Sequence, residues 1–121
     1  MKANTTMAAR LVEALQQVDL DSAQSFFVSN DEADKHPQLQ AAMLELIQTE
    51  RMRRDETEVA GYPLPAFDVW GPPATLSAGA SLLGITEVAA MTGDPGLTNF
   101  AFRVLQFWYV GHAAGFAKGE L

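Results

Sequence analysis

The sequence predicts an all-α fold, about five helices in a compact bundle. Three observations carry that reading. Apolar residues recur at intervals of three and four along most of the chain, almost no stretch alternates apolar with polar residues as a half-buried strand would, and Asp, Pro and Gly stand where helices begin and end. At 121 residues, with 48% hydrophobic and 19% charged, the chain has the size and composition of one globular domain that buries a core without a staple. It contains no cysteine, which excludes thiolate catalysis, redox switching and cysteine-ligated zinc.

Met7, Leu11, Val12, Leu15 and Val18 recur at helical spacing behind Thr5 and Thr6, so the first helix is expected over 6–18. Asp21 offers the cap of a short second helix carrying Phe26 and Phe27, followed by a polar linker from Ser29 to His36. Pro37 suits the first turn of a third helix, whose stripe is Leu39, Met43, Leu46 and Ile47, with Glu50 and Arg54 at an attractive spacing near its end. The segment 61–73, GYPLPAFDVWGPP, holds four prolines and two glycines and is expected as an extended aromatic loop. Pro73 can open a fourth helix through Leu76, Leu83, Val88 and Met91 to a stop at Gly93. Asp94 and Pro95 then cap and start a last helix reaching about Lys118. Without spare residues between them, the last two helices should form a hairpin, with Glu87 and Arg103 at comparable heights and able to pair.

The chain reads as a single helical domain, 1–121, in two parts. Residues 1–58 hold 6 basic and 11 acidic side chains, whereas 59–121 hold Arg103 and Lys118 against Asp68, Glu87, Asp94 and Glu120, and nine of the eleven aromatics. The formal net charge of −7 disfavours nucleic acid as a partner, because duplex affinity rests on neutralising phosphates. The first residues, MKANTTMAAR, lack the apolar stretch of a secretory signal, so the expected location is cytoplasmic.

Candidate chemistry is sparse. His112 lies between Trp108 and Phe116 on one helical face beside Gly111 and Gly115, where a flat cofactor such as haem could approach; packing or an interface is the plainer use of such a histidine. Segments 74–92 and 96–117 are long enough to span a bilayer, and Ala80/Gly84 and Gly111/Gly115/Gly119 have the spacing of close helix contacts. Polar residues dilute both segments, and no integral span is expected. Arg51, Arg53 and Arg54 form a basic run that Asp55, Glu56 and Glu58 cancel, while Asp31, Glu32, Asp34 and His36 lack the alternation of a calcium loop. Glu87 and Asp68 are single carboxylates without a partner at a guaranteed spacing, so no catalytic residue, metal site or cofactor is assigned to the chain and the isolated protein is not expected to be an enzyme. The face formed by Trp108, Tyr109, His112 and Phe116, with Phe67 and Trp70 of the loop, is the expected surface for a larger partner subunit or for self-association.

Two pieces, MTGDPGL over 91–97 and AFRVLQFWYVG over 101–111, resemble segments of the small subunits of bacterial membrane-associated flavin dehydrogenases acting on sugars and polyols. The matching positions are Thr92 and Gly93 in a threonine-glycine turn and Trp108, Tyr109 and Gly111 in a Trp-Tyr-x-Gly helix. The resemblance covers under a fifth of the chain, and the Pro/Gly/aromatic segment that follows this helix in the family lies upstream here, at Tyr62 to Pro73. It implies a non-catalytic accessory subunit that covers and stabilises a catalytic partner holding FAD, with co-export to the periplasm as the alternative location. Composition supports a second expectation, an independent acidic inhibitor or immunity-type protein whose charge steers it to a basic target. A small cofactor-binding protein centred on His112 is the third.

Overall fold

A computed structural model describes residues 2–55, 62, 64 and 76–111, and the described residues are helical with no strand among them. Among the described residues there are six helices where the sequence predicts five for the whole chain: α1 (Lys2–Gln16), α2 (Leu20–Val28), α3 (Asp31–Asp34), α4 (Pro37–Asp55), α5 (Leu76–Met91) and α6 (Pro95–Gly111). The addition is α3, a single turn inside the stretch expected to be a polar linker. It forms because Asn30 accepts hydrogen bonds from the Glu32 and Ala33 amides, at 2.9 and 3.3 Å, and because Ala33 is fully buried.

The second helix starts two residues earlier than Asp21 implies. Asp19 is its cap, accepting from the Ser22 amide at 3.0 Å and the Ser22 hydroxyl at 2.6 Å. Leu20, which is buried, must be inside the helix to reach the core, and that decides between the two aspartates. In α4 all four expected stripe residues are buried, with Ala42 and Glu50 beside them. At the last turn the expectation holds in detail: Gly93 adopts φ +77, and Asp94 Oδ1 accepts from the amides of Gly96 at 3.0 Å and Leu97 at 3.2 Å. The start expected at Pro73 and the continuation from 112 to Lys118 lie outside the described residues.

α6 is the central element, packed along α1 on one side and α5 on the other, while α2 packs on α4 and α3 joins α4 to α5. Phe27 and Phe100 meet edge to face with centroids 5.8 Å apart, joining α2 to α6. The antiparallel register of α5 and α6 is fixed by three contacts along their length. Thr98 Oγ1 donates to the Ala89 carbonyl at 3.1 Å, Thr86 Oγ1 lies 3.4 Å from the Ala101 carbonyl, and the Trp108 ring covers Gly79. That last contact needs glycine, since a Cβ at position 79 would stand 2.7 Å from the indole.

A candidate interaction face on the C-terminal hairpin

The register determines what α5 and α6 turn outward. Ala78, Leu82, Ile85 and Ala89 of α5, and Leu97, Phe100, Ala101, Val104, Phe107 and Trp108 of α6, point into the core. The opposite faces would be polar in a fully solvated pair. Instead Leu83 is 51% exposed, Met91 84%, Phe102 42% and Tyr109 66%. Between the helices at the turn end runs a shallow apolar groove lined by Ala90, Gly93, Pro95, Thr98, Asn99 and Phe102.

Trp108 and Tyr109, adjacent in sequence, part company here. Trp108 is 3% exposed and is a core residue, because its ring fills the space left by Gly79; this corrects its expected place on the partner surface. Tyr109 stands outward, its ring in edge contact with Trp108 at 6.3 Å. Phe67, Trp70, His112 and Phe116, the other residues expected on the surface, lie outside the described residues, as does Asp68. Phe102 is not among the residues that the sequence places on this surface. Its signal was available, seven residues before Tyr109 and so on the same side of α6.

Glu87 stands exposed on the outer side of α5, and it forms no ion pair with Arg103. The two are within one helical turn in height, as the register requires, but they occupy different flanks. Arg103 lies seven residues after Gly96, whose position 96 abuts the backbone of Gln17 and Val18, so it faces the α1 side of α6. There it donates to Gln106 Oε1 and lies 5.8 Å from the centroid of the Phe102 ring.

Among the described residues, the densest polar cluster lies at the end of α4. Glu50 is fully buried and accepts two hydrogen bonds from Arg53, at 2.8 and 2.7 Å, one from Arg54 at 2.8 Å, and one from the Tyr62 hydroxyl. Burial alone would raise its pKa, but the donors from Arg53, Tyr62 and Arg54 outweigh it and hold the carboxyl down to about 2. Tyr62 moves the other way: burial and the neighbouring carboxylate both raise its pKa. Arg54 also donates to the carbonyls of Leu15, Gln16 and Val18 at the end of α1. Arg51 reaches Asp21 at 3.1 Å and Gln24 at 2.8 Å. The basic run is therefore consumed by partners within the fold, mostly ones distant in sequence from the three acids expected to cancel it. With four donors on its two oxygens, Glu50 is the hub of a brace joining α1, α4 and Tyr62.

Glu32 is held below the ordinary carboxylate range by Lys35 at 3.1 Å and then by the Ser81 hydroxyl at 3.1 Å, which links α3 to α5. Among the described residues no cluster of His, Asp and Glu is placed to hold a metal ion, and no helix is long and apolar enough to cross a membrane. Comparison with protein-family models, curated proteins and solved structures gives no match.

Proposed function

We propose that the protein is a non-catalytic helical interaction subunit that covers and stabilises a larger protein through the outer face of α5 and α6. The observation that supports this reading is the set Leu83, Met91, Phe102 and Tyr109, large apolar side chains held outward on two helices whose inner faces already fill the core. The resemblance of segments 91–97 and 101–111 to small subunits of flavin-dependent sugar and polyol dehydrogenases makes the FAD-bearing subunit of such an enzyme the first partner to test. Affinity purification of the tagged chain from its native host, followed by quantitative mass spectrometry, should recover one larger protein in stoichiometric amount. A Phe102→Asp, Tyr109→Asp double variant that keeps its helical circular dichroism should lose it. Recovery of no stoichiometric protein, or equal recovery with the double variant, would reject the reading.

A further inference from the structure

We propose that the hairpin face receives an amphipathic helix of the partner, one whose apolar stripe carries a single lysine or arginine that meets Glu87. This deepens the interaction-subunit reading and rests on it. The groove runs between two antiparallel helices, a shape that a third helix fills by setting its side chains between theirs. The groove itself is lined by Ala90, Gly93, Pro95, Thr98, Asn99 and Phe102, and the exposed side chains of Leu83 on α5 and Tyr109 on α6 extend the apolar surface beyond it.

Charge selects the occupant. Glu87 is an exposed carboxylate between Leu83 and Met91 on α5, with no cation or hydrogen-bond donor engaged to it among the described residues. The nearest cation in the hairpin, Arg103, is turned to the other flank and occupied by Gln106. An apolar helix docked here without a positive charge would strip water from Glu87 and leave it unpaired, whereas one with a positive charge at that height would satisfy it. A second copy of this chain fits poorly by the same reasoning. Two chains of net charge −7 repel one another, and a symmetric pair through this face would bring both Glu87 carboxylates to the interface.

The test uses the full chain and two synthetic helical peptides of 18 residues, each with a leucine stripe, one with lysine and its twin with glutamate at the centre of that stripe. Fluorescence anisotropy at low salt should show the lysine peptide binding about tenfold more tightly than the glutamate twin, an effect on the scale of one desolvated ion pair. In Glu87→Gln the two affinities should converge, and in Phe102→Asp both should fall. Equal affinities for the wild-type chain, a preference that survives Glu87→Gln, or binding of neither peptide overturns the proposal. So does a dimer of the free chain in sedimentation equilibrium that Phe102→Asp dissolves. A native partner that co-purifies undiminished with Glu87→Gln but is lost from the Phe102→Asp, Tyr109→Asp variant would sink the charge pairing alone and leave the interaction-subunit reading standing.

Discussion

Gly79 sets how near α5 lies to α6, because its missing side chain is the space the Trp108 indole occupies. A methyl group there would stand 2.7 Å from Cη2 and 2.8 Å from Cζ3 of a ring that is itself buried, so the packing around it would have to shift. Gly79→Ala should therefore destabilise the fold by about 2 kcal/mol despite the better helix propensity of alanine, the usual scale of overpacking. Chemical denaturation measures this, and a variant as stable as the wild type would show that the indole can move aside. At Glu50 the relevant variable is pH. Its folded-state pKa of about 2 lies below the ordinary value of 4.5, so its ionisation stabilises the fold above about pH 4.5, and that contribution drains away as pH falls toward 2. At its fullest it is worth at most about 3 kcal/mol. Glu50→Gln should flatten the acid limb of a stability–pH curve, and an unchanged limb would place the acid sensitivity elsewhere.

Each helix boundary reports how much its cause is local. The turn between α5 and α6 could be read from the sequence because everything that makes it lies within it: a glycine at φ +77, an aspartate capping two amides, and a proline where no donor is needed. Gly93→Ala should cost about 1 kcal/mol, since the cost is that of the left-handed backbone and no atom crowds the site. Asp94→Ala should cost a similar amount through its lost cap. Thermal melts of the two variants check both values. Boundaries set at a distance were not legible. Whether Asp19 or Asp21 caps α2 depends on Leu20 finding the core, and α3 exists because Ala33 is covered by its neighbours. The outer face was legible as an excess of apolar residues but not in its membership. Adjacent aromatics diverged because Gly79, twenty-nine residues before Trp108, receives one of them and leaves Tyr109 outside.

At the scale of the molecule, charge and apolar surface are kept apart. The arginines of α4 are spent on the brace around Glu50 and on Asp21, while the hairpin keeps few charges and exposes Leu83, Met91, Phe102 and Tyr109. The charged brace and the exposed apolar side chains thus lie on different helices, linked by the packing of α1 against both α4 and α6. Arg54 has a consequence for how that assembly comes apart. By holding the carbonyls of Leu15, Gln16 and Val18, it occupies the acceptors at which α1 would begin to fray, and it does so from a helix that α1 otherwise touches lightly. The two helices should then open to solvent as one cooperative unit, with amides at the end of α1 exchanging hydrogen for deuterium at the pace of those at the end of α4. In Arg54→Ala the α1 amides should exchange about tenfold faster than in the wild type, the effect of losing one charge-assisted hydrogen bond, and the shared rate should split in two. Equal rates surviving in that variant would mean that the core alone ties the two helices together.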